Sequence, residues 1–273
     1  HAEMSISGLY AGTLTDTDGG GLAHAFSTNS IYVSYSDSMD NGMGVSVNMS
    51  VTDAAIKTDV NIDTGMGTVA LGNGVDSAVD GMDGSPACFS LNLCGSALNA
   101  NYNDGDGVSG NSIGYSNSMG GISFAVTRGM ENPDPTLGNS PVMSYAASTS
   151  IMGATVKAGV SQIDYKAAGT ADVDPSFVTV GYSLAGLSLG YAMYDGDNGG
   201  EETQMGVGTS MMGMDVGVTF ATADLATDVD YTRISVGKGM GAASFGVDYT
   251  ETDEAGGTTN DSDAWQLTYV VGF

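Results

Sequence analysis

The sequence predicts an all-β protein whose architecture is a transmembrane, antiparallel, up-and-down β-barrel of sixteen strands. Three observations carry the prediction. Apolar residues alternate with small or polar ones along segment after segment, as the two faces of a strand require. Tight turns and longer polar connections follow one another in alternation, the rhythm of a meander whose two ends are treated differently. Aromatic residues recur near segment ends, where a membrane barrel carries its girdles.

The strands are expected in order at 4–14, 29–36, 43–51 and 67–72, followed by 112–117, 122–128, 142–151, 155–163, 177–185 and 187–194. The last are 203–211, 214–222, 231–238, 243–251 and the terminal "AWQLTYVVGF" at 264–273. That makes fifteen, and a barrel with both termini at one end needs an even number. "VDSAVDG" (75–81) supplies the sixteenth, after a short turn at Asn73 and Gly74 and before the longest irregular stretch, 82–110. Sixteen strands of roughly ten residues consume about 160 residues, leaving the remainder for seven turns and eight loops. Tight turns fall at 118–121, 152–154, 185–186, 212–213 and 239–241, and longer loops at 129–141, 164–176, 195–202, 223–230 and 252–263. Helical spacing appears over no useful length, and one barrel domain spans residues 1–273.

Bulky residues keep one parity: Leu187, Leu189, Tyr191 and Met193; Val178, Val180, Tyr182 and Leu184; Phe245, Val247 and Tyr249. Between them stand Ser188, Gly190, Ala192, Ser244, Gly246 and Asp248. A dry interior demands bulky side chains to fill it. An inner face of Ser, Thr, Gly, Asn and Asp suits water, so the apolar parity is assigned to lipid. Tyr10, Tyr35, Tyr115, Tyr145, Tyr191, Trp265, Tyr269 and Phe273 are the expected girdle residues.

Composition narrows the function classes. The chain has 273 residues, with 32 Asp and Glu against 6 Lys and Arg, a formal net charge of -26. Such a surface repels phosphate, which argues against nucleic-acid binding. The regular pattern and 41% hydrophobic content argue against disorder. Beginning at His1, the sequence reads as an exported chain whose signal peptide has been removed. Cys88 and Cys94, the two cysteines, form an even pair in a turn-rich stretch, which favours a local disulfide over a metal pair lacking further ligands. Its closed ring would contribute about 2 kcal/mol in the entropic account of cross-links. No catalytic constellation is legible: His1 is terminal, His24 is read as a loop residue, and "GKGMG" (237–241) leads into a strand.

The terminal "WQLTYVVGF", the meander, "GTVALGNGVDSAVDG" (67–81) and the single long connection after it together resemble the Gram-negative general porin family. The resemblance covers essentially the whole chain through pattern more than identity. It implies that the long connection is the third loop and folds into the lumen, that three barrels associate as a homotrimer in the bacterial outer membrane, and that lipid and lipopolysaccharide surround it. It also makes Trp265, Leu267, Tyr269, Val271 and Phe273 the signal read by the barrel-assembly machinery. Activity implied by the family is passive diffusion of small hydrophilic solutes and ions, with no enzymatic step and no required cofactor. The family's arginine cluster across from the third loop has no counterpart: Arg128 falls on the outward parity, and the inward parity offers Lys157 and Arg233.

Asp76, Asp80, Asp83, Asp104 and Asp106 bracket the long loop and are the candidate acidic lining, with Arg233 and then Lys157 on the opposing wall. Carboxylates in a pore attract cations and repel anions, so cation selectivity is expected. The other reading of these aspartates is that they occupy solvated turns. "NDGDG" (103–107) and "DGDNGGEE" (195–202) supply oxygens of the kind calcium takes, without the ordered spacing of an EF-hand. Two competing functions remain: a surface scaffold or adhesin with a plugged lumen, and a secreted acidic calcium-binding β protein.

Overall fold

The computed structural model describes residues 2–17, 20–52, 55–89, 111–130, 142–165, 171–197, 200–224, 228–254 and 262–273. Sixteen strands follow one another: β1 (Glu3–Thr17), β2 (Gly21–Ser38), β3 (Gly44–Thr52), β4 (Ile56–Asp63), β5 (Thr68–Gly72), β6 (Asn111–Met119), β7 (Ile122–Met130) and β8 (Val142–Ile151). The second half comprises β9 (Ala154–Ile163), β10 (Ser176–Leu184), β11 (Leu187–Asp195), β12 (Glu201–Met211), β13 (Met214–Asp224), β14 (Val229–Met240), β15 (Ala243–Glu254) and β16 (Ser262–Gly272). Each pairs antiparallel with its sequence neighbours, and β16 returns to β1, closing the barrel. Closure gives every strand two partners and removes the edges that a bilayer cannot satisfy.

The tight turns explain one end. Met152–Gly153, Ala185–Gly186 and Met212–Gly213 all have positive φ at both positions, from 52° to 85°. That is the geometry of a two-residue type I′ turn, whose twist matches the flanking strands. The opposite end carries the polar connections, although those after β1 and β3 span only residues 18–20 and 53–55. The expected long loops therefore fail in the first two, and those expected at 195–202 and 223–230 shorten to 196–200 and 225–228 because the flanking strands run further.

Side-chain direction follows the alternation. On β11, Leu187, Leu189, Tyr191 and Met193 are exposed outward, while Ala192 and Tyr194 on the other parity are buried. Rings collect toward both rims: Tyr10 beside Tyr269 and Tyr115 beside Phe124 at the turn end, Tyr249 against Trp265 at the loop end. His24 lies in β2, not in a loop, and its Nε2 is 3.0 Å from the Tyr269 hydroxyl.

Two expectations about the strands are corrected together. "VDSAVDG" is not a strand. Ser77, Ala78 and Val79 are buried at three successive positions, which no alternating strand permits. Backbone bonds from Gly81 N to Ser77 O and from Asp83 N to Val79 O curl it into turns. The missing strand is β4, whose inward residues Lys57, Asp59, Asn61 and Asp63 are so polar that it reads as a loop. The count of sixteen stands because one error offsets the other, and the long connection begins at Asn73 instead of 82.

Candidate functional site

The connection from β5 to β6 turns into the barrel at its first residues. Gly72 has φ 143°, and a β-carbon there would lie 2.1 Å from the Thr58 carbonyl oxygen, so only glycine makes this bend. Asn73 then hooks the chain to β4: its Oδ1 accepts from the Thr58 amide at 2.7 Å, and its Nδ2 donates to the Ile56 carbonyl at 3.1 Å. Gly74 N donates to Thr58 O. These bonds end β5 after five residues and aim the chain at the lumen.

From there residues 75–89 run along the inner wall across successive strands. Thr127 on β7 donates its hydroxyl to the Asp76 carbonyl at 3.3 Å, and the Ala78 amide donates to Ser144 Oγ on β8 at 2.8 Å. Tyr194 on β11 donates to the Asp83 carbonyl at 2.7 Å, and Thr219 on β13 donates to the Ala87 carbonyl at 2.6 Å. Ala78 and Val79 pack with Ala146, Phe177, Ala192 and Tyr194, a small apolar core inside the barrel. Large inward residues are therefore present where the segment covers them, a departure from the uniformly small inner face expected.

Between those tethers the wall is bare. Gly181, Gly190 and Gly206 are register partners across β10, β11 and β12. A β-carbon on Gly190 would stand 2.1 Å from the Pro86 carbonyl oxygen, and one on Gly206 2.0 Å from that of Ala87. Gly208 and Gly217, another opposed pair, hold the ring of Phe89. Glycine here creates the room in which backbone lies on backbone.

The expected site residues are distributed around this segment. Asp76 is exposed, and its Oδ1 is 3.8 Å from Lys57 Nζ. Asp80 and Asp83 are half-buried in the turns. Asp104, Asp106 and Cys94 lie outside the described residues, while Cys88 is described and no free cysteine occurs among the described residues. Lys157 faces inward on β9, opposite Thr179. Arg233 on β14 is 4% exposed; its Nε donates to Thr250 Oγ1 at 3.1 Å and its Cζ lies 4.8 Å from the Tyr231 ring centroid.

Of the inward residues that escaped the sequence reading, Lys57 and Glu202 bear most on the charge of the wall. Lys57 belongs to the unrecognised β4 and joins Lys157 and Arg233 as an inward cation, so the pair expected there is corrected to three among the described residues. Glu202, taken as part of an external loop, is on β12, fully buried, and accepts a 2.5 Å hydrogen bond from Gln204 Nε2. The parity of "EETQ" could have revealed it. The three cations stand on β4, β9 and β14, far apart around the barrel, and form no cluster.

The sequence profile of the Gram-negative porins matches residues 1–270. The chain belongs to the Gram-negative porin family. Solved structures agree with that fold. A loop-deletion mutant of OmpT, an outer membrane protein of Vibrio cholerae, superposes with TM-score 0.77 at 13% identity, covering 100% of this chain and 99% of that one. A substituted variant of the Rhodopseudomonas blastica porin gives 0.72 at 17% identity, covering 99% and 100%. No curated protein matches by sequence. In this porin the inward segment follows β5, and β16 carries Trp265, Leu267, Tyr269 and Val271 on its outward parity against β1, with Phe273 directly after it.

Proposed function

We propose that this outer-membrane porin is a passive diffusion channel for small hydrophilic solutes and ions, and that it prefers cations. The observation that carries the reading is the course of residues 75–89: they enter a closed barrel and are tied to the wall from β7 to β13. A segment held to one side narrows a lumen. Strong tethers also keep it from sampling the aqueous path.

Selectivity rests on charge. With a formal net charge of -26 and wall cations dispersed over three strands, carboxylates dominate the field that an entering ion meets. Asp76, Asp80 and Asp83, with Asp104 and Asp106, are the proposed acidic lining, and Lys157 and Arg233 the opposing wall. The porin works as a homotrimer among lipid and lipopolysaccharide, with the β16 residues read during assembly by the barrel-assembly machinery. A Cys88 to Cys94 bridge stiffens the segment beyond Ala87. Calcium at the acidic loops is an accessory ligand, not a cofactor.

The test is the reversal potential of the purified porin in a planar bilayer across a potassium chloride gradient. A potential of the sign set by potassium flow is expected. One of chloride's sign overturns the selectivity.

A further inference from the structure

On the inner face of β14, β15 and β16, next to Gly217 of β13 on which the Phe89 ring rests, four side chains form a patch of oxygen atoms. Ser235 is directly opposite Asp248, and Asp248 is directly opposite Gln266. Opposed residues on one face have β-carbons about 4.5–5.5 Å apart. Thr268 follows on the same face of β16, diagonal to Asp248. Asp248 is 1% exposed, Ser235 2% and Thr268 0%. Ser235 Oγ, both carboxylate oxygens of Asp248, Gln266 Oε1 and Thr268 Oγ1 are all buried without a hydrogen-bond partner among the described residues.

Burying a carboxylate with neither oxygen satisfied is costly, and buried charges are ordinarily paired or coordinate a metal. The nearest inward cation along β14 is Arg233. Its Nε is committed to Thr250 and its guanidinium lies on Tyr231. Gln266 uses its Nε2 on Thr15 Oγ1 at 3.2 Å, which leaves its carbonyl oxygen as the orphan.

Every orphan in the patch is an oxygen, and one carries negative charge. We infer that Asp248, with Ser235, Gln266 and Thr268, forms a binding site for a hard divalent cation on the lumen wall. Carboxylate, amide carbonyl and hydroxyl oxygens are the donor set of calcium and magnesium, with no nitrogen or sulfur to favour zinc or copper. Ligands spread over three strands suit calcium, which accepts irregular shells, better than magnesium, which demands a regular octahedron. None of the site's four residues belongs to the acidic stretches 103–107 and 195–202, and the site does not depend on the channel conducting.

The test is calcium titration of the detergent-purified, chelator-stripped porin, followed by calorimetry and by the temperature at which its folded band disappears on a gel. Wild-type protein is expected to bind one more calcium per chain than Asp248→Asn, and calcium is expected to raise its melting temperature well above that of the variant. Ser235→Ala, which keeps the charge and removes one oxygen, should bind the same number with weaker affinity. Magnesium should substitute poorly. Equal calcium stoichiometry in wild type and a folded Asp248→Asn overturns the inference, as does a wild-type protein whose melting is indifferent to calcium.

Discussion

The ring of Phe273 lies on Gly8, with its Cζ 2.0 Å from where a β-carbon of Gly8 would stand. The same two residues exchange backbone hydrogen bonds, Gly8 N to Phe273 O at 2.9 Å and Phe273 N to Gly8 O at 3.1 Å. One turn of the pattern away, Gly12 leaves room for Tyr269, whose hydroxyl would be 2.5 Å from a β-carbon on that glycine. The seam between the first and last strands is thus keyed by Tyr269 of β16 and by Phe273 just beyond it, each fitted over a glycine of β1.

Gly8→Val should therefore weaken the closing seam. Overpacking of a filled position costs about 1–3 kcal/mol. The folded band on an unheated gel should disappear at a lower temperature than in wild type. Gly239→Ala on β14, where a β-carbon meets nothing within 4 Å, serves as the control and should behave like wild type.

Thr219→Val keeps the shape of a buried wall residue and leaves the Ala87 carbonyl without its donor. An orphaned buried acceptor costs about 1–3 kcal/mol. That is enough to loosen the segment without unfolding the barrel. Single-channel recordings should show greater open-channel noise, and Thr219→Ser should restore quiet currents.

Gly206→Val places a side chain where the Ala87 carbonyl now rests against the wall. Backbone cannot yield there as a flexible side-chain tip can, so residues 86–87 must lift toward the lumen. Conductance should fall while folded-band stability changes less than in Gly8→Val. Unchanged conductance would show that the segment does not border the ion path.

Lys57 and Asp76 are both about half exposed at 3.8 Å, so their pair contributes at most about 1 kcal/mol. Its importance is to the field. Lys57→Glu should leave stability nearly unchanged and move the reversal potential further toward cations.

Strand existence and the outward apolar face were legible because alternation is a local property of the chain: "LSLGYAMY" declares its two faces without help from any neighbour. β4 was not, since Lys57, Asp59, Asn61 and Asp63 make one of its faces as polar as a loop. "VDSAVDG" misled for the opposite reason. Its apolar residues are gathered by the core that Ala146, Phe177 and Tyr194 provide, and those partners lie far away in sequence. The glycine row at 181, 190 and 206 was invisible for the same cause, because register across three strands decides that these glycines align. Asp248 was placed on the inward face correctly, but the company of Ser235 and Gln266 also depends on register.

The most direct test of the account is the current carried by single molecules of the purified porin in a planar lipid bilayer. Discrete, long-lived, ohmic steps that Gly206→Val reduces in size are the predicted result. A folded, membrane-inserted barrel that passes no current would contradict it.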